Sequence, residues 1–275
     1  MRGGGASDLM PLDQTLSRSA RRRSPAARHA PPWAMRIVVL ALFLAIWQGS
    51  SVLGLISDFL LPSPLEIARS LQGLFRDNDV IGAFMSTFIE TLGAFAAATA
   101  AGVAAGFGLH RSRLAGRAYT DWLGAIAAAP LVLLYPVFLV VIGRNVWTII
   151  VMGAIVAAPP IALKSKEGLD GVRPVLIAVG RSLGLDPWRM FRAIQLPAAL
   201  PTIFTGLRLG LIFALINTVG VEFLLAFGGL GSLISNLGDH FDLPAMYAAI
   251  LFVVLVSVIF LYLTERAESW LLSSR

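Results

Sequence analysis

The sequence predicts an all-α transmembrane protein whose chain crosses the bilayer six times. Hydrophobic residues make up 57% of the 275 residues and charged residues only 14%, whereas soluble domains carry roughly 45–50% apolar and about 25% charged residues. Six apolar segments approach the length of about 20 residues that a membrane-spanning helix needs. Basic residues are concentrated in alternate connecting segments, as expected where they resist translocation.

Several kinds of chemistry are excluded by composition. The chain has no cysteine, which excludes disulfides, cysteine-ligated zinc and thiol catalysis. His29, His110 and His240 do not have the spacing of metal ligands. The sequence has neither a nucleotide-binding phosphate loop nor a catalytic serine elbow. We therefore expect no catalytic residue, no metal site and no bound cofactor. The net charge of +6 is interpreted as a topology signal, and no nucleic-acid partner is expected.

The N-terminal segment, residues 1–35, is rich in glycine, serine, proline and arginine. Such a composition predicts disorder, because little apolar surface is available to bury. The apolar run from Ile37 to Ile56 is long for a signal peptide and lacks an Ala-x-Ala cleavage site. It is expected to remain as the first span of a transmembrane domain over residues 36–265. Residues 266–275 would follow as a cytoplasmic tail.

The remaining predicted spans are 84–108, 122–143, 146–163, 203–227 and 244–263. Only Arg144 and Asn145 separate the third span from the fourth, so a tight hairpin and a single long helix are both considered. The six-span topology with both ends cytoplasmic places 18 of the 22 basic residues on the inner side. Five spans would place the basic segment 164–192 outside, which the same rule disfavours.

The only long inner loop, residues 164–201, has the pattern of two short helices. Pro174 suits the first position of one helix and Pro187 that of the next, with Asp186 as N-cap. Gly184 suits the left-handed position that ends the first helix. Pro197 and Pro201 are expected to end the second helix.

We call residues 174–197 the knuckle. Trp188 and Phe191 are predicted to share an exposed face of its second helix. This apolar face is typical of a docking surface for another protein. The pattern alone also permits an amphipathic hairpin that lies on the lipid headgroups.

The stretch from Gly184 to Pro201 resembles the signature loop of binding-protein-dependent ABC importer permeases. In that family a Glu-Ala-Ala stretch, a glycine and a later Leu-Pro form a loop that fits a groove on an ATPase subunit. The residues that the resemblance assigns to this coupling role are Ala178, Val179, Gly180, Gly184, Asp186, Trp188, Phe191, Leu196 and Pro197. One departure is that Ala178-Val179-Gly180 stands where the family has its acidic residue.

Other motifs are similar to the nitrate, sulfonate and taurine branch of this family. They are Leu61-Pro62-Ser63-Pro64, Ala129-Pro130 with Tyr135-Pro136, Gly206-Leu207-Arg208-Leu209-Gly210, Val221-Glu222-Phe223-Leu224 and Gly229-Leu230-Gly231. The resemblance implies a six-helix type I permease of the bacterial inner membrane, working as a homodimer in preference to a heterodimer.

Its partners would be two ATPase subunits, which use ATP and Mg, and a periplasmic solute-binding protein. Its solute would be sulfonate-, taurine- or nitrate-like, or a small heterocyclic precursor. An ion-gradient-driven secondary transporter and a non-transporting membrane scaffold are the alternatives.

The candidate functional residues inside the predicted spans are Glu90, Asn217 and Glu222. Because ionisable groups at membrane depth usually face a cavity, these three are predicted to line the translocation pathway. The alternative is a structural role, with each hydrogen-bonded to a neighbouring helix. If they line the pathway, two carboxylates favour a neutral, zwitterionic or cationic solute over an anion. Glu90 stands where the family often has an arginine.

Overall fold

A computed structural model describes residues 32–57, 59–77 and 79–273, and within these ranges it has helices and turns but no strand. The all-α prediction is thereby confirmed. The chain divides after Ile46 into two compact units, and the second, from Trp47 onward, contains the features below. The first helix crosses this division and is described by itself.

Eleven α-helices lie within the described ranges. They are α1 Pro32–Val52, α2 Pro64–Asp77, α3 Val80–Arg111, α4 Arg113–Ala128, α5 Tyr135–Val141, α6 Val146–Asp170, α7 Pro174–Ser182, α8 Pro187–Met190, α9 Leu196–Leu225, α10 Gly229–Asp239 and α11 Leu243–Ser273. A 3₁₀ turn, Leu131–Leu134, precedes α5, and a π-helical segment, Phe191–Gln195, joins α8 to α9.

The predicted third span, 122–143, is not one helix. Its two parts, Arg113–Ala128 and Leu131–Val141, meet at an angle of 82°. The bend falls at Pro130, which lacks an N–H and disfavours helical geometry in the residue before it. Ala129 is accordingly extended, with ψ of 138°. Among the described residues five helical stretches are long and apolar enough to span a membrane, and a sixth span requires counting the bent pair as one.

The tight turn between the third and fourth predicted spans is present. Gly143 has φ of +95°, and the Asn145 side chain accepts hydrogen bonds from the first N–H groups of α6. Since α5 ends at Val141 and α6 starts at Val146, a single long helix is excluded here.

The chain ends differ from the predicted boundaries. Helix α1 starts at Pro32, inside the segment predicted to be disordered, and residues 1–31 lie outside the described residues. It ends at Val52, ahead of the predicted Ile56, shortly before Gly54 with φ of +67°. Residues 266–273, predicted as a tail, are the last turns of α11.

Helix α6 packs between α3 and α9, and glycines permit the close approach on both sides. A Cβ placed on Gly102 of α3 would lie 2.8 Å from the Ala158 carbonyl oxygen of α6. A Cβ on Gly210 of α9 would lie 2.5 Å from Ile161 Cδ1, also on α6. The glycines of α3 and α9 therefore make room for the backbone of α6 and for its buried Ile161 side chain.

One end of this bundle is covered by α2 and α10, and we call it the α10 end. Buried Leu74 of α2 packs in one apolar cluster with Leu230 of α10 and Ala249 of α11. Helix α2 was missed from the sequence, although Ser63 and Glu66 form a capping box. The Ser63 N–H donates to Glu66 Oε2 at 3.0 Å, and the Glu66 N–H donates to Ser63 Oγ at 3.3 Å.

Candidate functional site

The knuckle lies at the opposite end of the bundle and has the predicted Gly184 turn. Gly184 has φ of +67°. Its N–H donates to the Arg181 carbonyl at 3.0 Å, and the Leu185 N–H donates to the Gly180 carbonyl at 3.1 Å. This pair of bonds is a Schellman motif, which satisfies the last carbonyls of α7 and reverses the chain.

The second knuckle helix starts as predicted but does not end as predicted. The Asp186 carboxylate accepts the Arg189 N–H at 3.4 Å, and Pro187 occupies the first turn. The chain then stays helical through the π segment into α9, so the expected stop at Pro197 and Pro201 is wrong. Pro197 lies in the first turn of α9, directly after the π segment. Pro201 is accommodated inside α9.

Two contacts hold the knuckle together. Gly180 is buried where α7 meets the π segment, and a Cβ there would lie 2.6 Å from Ile194 Cδ1 and Met190 Sδ. The Phe191 ring packs edge-on against Phe107 of α3, with 5.1 Å between ring centroids. Phe191 was predicted to share the exposed face, but it is only half-exposed because it fastens the knuckle to α3.

An apolar stripe remains exposed on the knuckle. Val175, Val179 and Leu183 recur at helical spacing along α7 and are 59%, 50% and 71% exposed. Trp188 is 61% exposed and stacks on Phe191. We call Val175, Val179, Leu183 and Trp188 the coupling surface. Val175 and Leu183 were missed, although their spacing of four from Val179 is visible in the sequence.

The other residues assigned to coupling have different positions. Ala178 is exposed on α7, whereas Leu196 and Pro197 are half-buried at the base of the knuckle. Asp186 is the only acidic residue of the knuckle, and its carboxylate also pairs with Arg189 Nε at 3.3 Å. The knuckle is therefore a basic structure with an apolar stripe.

At the α10 end, Glu90 of α3 and Glu222 of α9 meet in the packed interior. Glu90 Oε2 and Glu222 Oε1 have no hydrogen-bond partner among the described residues. Glu222 Oε2 accepts from Thr87 Oγ1 at 2.9 Å and from the Gly231 N–H at 2.8 Å. Thr87 Oγ1 in turn accepts the Leu230 N–H at 2.8 Å. Glu222 and Thr87 thereby satisfy N–H groups at the start of α10, where negative charge is also favourable.

Glycines make room for these carboxyl groups. Gly228 and Gly229 have φ of +60° and +70°, a region that side chains disfavour. A Cβ on Gly229 would lie 2.1 Å from the Glu222 carboxyl carbon, and one on Gly231 would lie 2.2 Å from the Val219 carbonyl oxygen. We call Thr87, Glu90, Glu222 and residues 228–231 the acid node.

The structure thus brings together two of the three residues predicted to line the pathway. Glu90 is 2% exposed and Glu222 is fully buried. Asn217 is also buried, and its amide nitrogen has no hydrogen-bond partner within the described part of the chain. The pathway assignment stays a prediction for all three residues; the hydrogen bonds of Glu222 with Thr87 and with the Gly231 N–H favour the structural alternative for that residue. The preference for a neutral, zwitterionic or cationic solute depends on that assignment and likewise stays a prediction.

Two basic residues that depart from the inner-side distribution have structural partners. Arg144, in the turn before α6, donates to the Ala226 carbonyl and lies over the Phe227 ring. Arg208 of α9 pairs with Glu265 of α11 at 3.2 Å. Neither guanidinium needs a ligand to account for its position.

A close-packed bundle of apolar helices with an exposed helix–glycine–helix knuckle fits a membrane transport subunit. Residues 97–272 match the family described as binding-protein-dependent transport system inner membrane component. This match covers more than half of the chain, and the protein belongs to that family. The resemblance stated from the sequence is therefore confirmed.

Relatives of known designation extend over most of the chain. The riboflavin transport system permease protein RibX of Chloroflexus aurantiacus is 27% identical over 80% of this chain and 82% of its own. The putative aliphatic sulfonates transport permease protein SsuC of Bacillus subtilis is 27% identical over 93% of each chain. The taurine transport system permease protein TauC of Escherichia coli is 25% identical over 88% of each. All three are permease proteins of transport systems.

Solved structures share the fold at lower identity. An inward-facing form of the MetNI methionine ABC transporter has a TM-score of 0.60 at 21% identity, covering 71% of this chain and 95% of that one. An amino acid ABC transporter has a TM-score of 0.58 at 16% identity, covering 71% and 94%. The fold is that of an ABC importer permease, and the chain is a permease subunit of such an importer.

Proposed function

We propose that an ATPase subunit, which uses ATP and Mg, docks on the coupling surface of each permease copy and drives transport. The observation that carries this proposal is the exposed apolar stripe of Val175, Val179, Leu183 and Trp188. Exposed apolar surface of this kind, rimmed by polar residues, marks an interaction site. ATP-driven closure of two such partners would rock the paired knuckles and switch access across the membrane. The family itself implies ATPase and binding-protein partners.

In this proposal the knuckle end is cytoplasmic, as are both chain termini. The inner-side position of 18 of the 22 basic residues supports this orientation. Two copies of the chain, as a homodimer, would enclose the pathway, and a periplasmic solute-binding protein would deliver solute at the α10 end. The membrane would be the bacterial inner membrane.

The solute is proposed to be a small sulfonate- or taurine-like compound, a nitrate-like anion or a heterocyclic precursor. Relatives designated for riboflavin, aliphatic sulfonates and taurine support this range. Because Glu90 and Glu222 are both buried, anions stay within the proposed range.

The test is uptake by proteoliposomes that contain the tagged permease, the ATP-binding-cassette subunit that co-purifies with it and a solute-binding protein. We expect uptake only with ATP and Mg enclosed on the knuckle side. A Trp188→Asp permease should insert normally but fail to retain the ATPase subunit. Uptake driven by an ion gradient without any ATPase subunit would instead establish a secondary transporter.

A further inference from the structure

A cavity of about 630 Å³ lies between the knuckle and the end of α3. Its walls include Phe107 and Phe191, which contact each other, and the exposed Trp188 of the coupling surface. Arg111 of α3 and Arg181 of α7 also line it. A protein that binds over Trp188 would therefore also contact the cavity, and it would need no second interface to do so.

The charge lining the cavity is basic and uncompensated. No carboxylate lines it, and neither Arg111 nor Arg181 forms an ion pair with any described residue. His110, a third lining residue, has its Nδ1 2.6 Å from Asp170 Oδ1, and Lys166 occupies the other oxygen of Asp170 at 2.9 Å. Asp170 is thus already shared by two bases. Two guanidinium groups remain at a cavity whose other walls are largely apolar.

The position of Arg111 along α3 favours a protein carboxylate over an anionic lipid as the ligand of the cavity. Helix α3 has 32 residues, which is about 48 Å at 1.5 Å per residue. Arg111 is the last of them, about 23 Å from the helix midpoint. With that midpoint at the bilayer centre, the headgroup region ends about 20–22 Å from the centre. In this placement, with the axis of α3 along the bilayer normal, Arg111 would lie at the aqueous edge of the headgroups, where a cytoplasmic protein has access.

We propose that this cavity receives an aspartate or glutamate side chain of the ATPase subunit, flanked in that subunit by an apolar residue. This inference rests on the proposed function and adds that the ATPase subunit carries a negative charge where it enters the cavity. Arginine forks bind a carboxylate through two parallel hydrogen bonds, which suits Arg111 and Arg181 as receptors. The rings of Phe107 and Phe191 provide the apolar wall for the flanking residue.

The experiment measures affinity of the purified permease for the ATP-binding-cassette subunit that co-purifies with the wild-type chain. Arg181→Glu and Arg111→Glu should each weaken binding by about tenfold or more, because like charges would then face each other. Both variants should also lose most of the salt dependence of wild-type binding. Arg113→Glu is the matched control, since Arg113 is exposed at the same end and does not line this cavity.

Wild-type affinity in both cavity variants, with Trp188→Asp still impaired, would overturn this inference and leave the proposed function intact. Unchanged ATPase affinity together with loss of co-purifying phosphatidylglycerol would assign the cavity to lipid, which also overturns it. If the wild-type chain retains no ATPase subunit at all, the proposed function itself fails. A Lys substitution at one acidic residue of the ATPase subunit that restores binding to Arg181→Glu would identify the occupant.

Discussion

The acid node and the knuckle lie at opposite ends of the bundle and use their polar groups in opposite ways. In the acid node, Glu222 is fully buried and its Oε2 accepts two hydrogen bonds from the same chain. In the knuckle, Arg181 is exposed and has no ion pair within the described residues. Both ends have left-handed glycines, but Gly229 is crowded by Glu222 whereas Gly184 has open space around it.

This difference implies that the polar groups of the acid node contribute to folding stability, whereas the exposed side chains of the knuckle are available to bind a partner. A buried acid that satisfies helix N–H groups is costly to lose, because its partners are left unpaired away from water. An exposed aromatic on a capped helix costs little to replace as far as folding is concerned, but it can dominate an interface. We therefore expect substitutions in the acid node to lower the free energy of unfolding and those on the coupling surface to lower affinity. The predictions below are ordered by their expected effect on unfolding.

Gly229→Ala should have the largest effect. The left-handed backbone costs about 1–2 kcal/mol for a non-glycine residue, and overpacking against the Glu222 carboxyl group adds about 1–3 kcal/mol. Thermal unfolding in detergent measures the loss. Gly54→Ala is the control, since Gly54 has φ of +67° and nothing within 4 Å of its added Cβ. Equal destabilisation by both variants would show that the Glu222 contact contributes nothing.

Glu222→Ala should have an effect of comparable size. It leaves the Gly231 N–H and the Thr87 hydroxyl without their acceptor, at about 1–3 kcal/mol each. Glu222→Gln keeps an acceptor oxygen and a similar volume, so it should retain most of the stability. Unfolding midpoints of the two variants, compared in one detergent, check this. A glutamine variant as unstable as the alanine variant would contradict the hydrogen-bond account.

Gly184→Val should have a smaller effect on stability, about 1–2 kcal/mol from the left-handed backbone alone. Because the turn sets the direction of the second knuckle helix, we expect ATPase retention to fall at the same time. Co-purification and unfolding are measured on the same preparation. Gly108→Val, at a helical glycine with nothing within 4 Å, should alter neither; if it lowers retention equally, the turn is not the cause.

Trp188→Asp should leave unfolding unchanged and weaken ATPase binding by about tenfold or more, as expected for an aromatic at the centre of an interface. Leu114→Asp is the control, because Leu114 is 82% exposed on α4 and lies outside the knuckle. Retained binding in Trp188→Asp would remove Trp188 from the coupling surface.

Local features were predictable from the sequence, and long-range features were not. The Gly184 turn and the Asp186 cap each depend on a few consecutive residues whose chemistry allows few conformations. The bend at Pro130 was missed because a proline within an apolar run either kinks a span or ends it. The contact between Glu90 and Glu222 joins residues far apart in the chain, and no local pattern encodes it.

The incorrect stop at Pro197 has a different origin. A proline ends a helix only where its missing N–H and its ring cannot be accommodated. The Leu196 N–H instead bonds to the Phe191 carbonyl, a π step that carries the helix past this point. A change of helix hydrogen bonding of this kind cannot be predicted from residue preferences. The stripe of Val175, Val179 and Leu183, by contrast, could have been predicted from its spacing.

The π segment also fixes the angle, measured about the axis of α9, at which the knuckle projects. A π step in an α-helix corresponds to one additional residue, and each residue turns the helix by about 100°. The direction in which Trp188 faces, relative to the face of α9 that carries Glu222, is therefore set by the number of residues in Phe191–Gln195. Removing one residue there would turn the coupling surface about a quarter of a revolution around the axis of α9. The acid node depends on contacts at the other end of α9. Its orientation about the axis of α9 would therefore be kept, while the orientation of the knuckle would change.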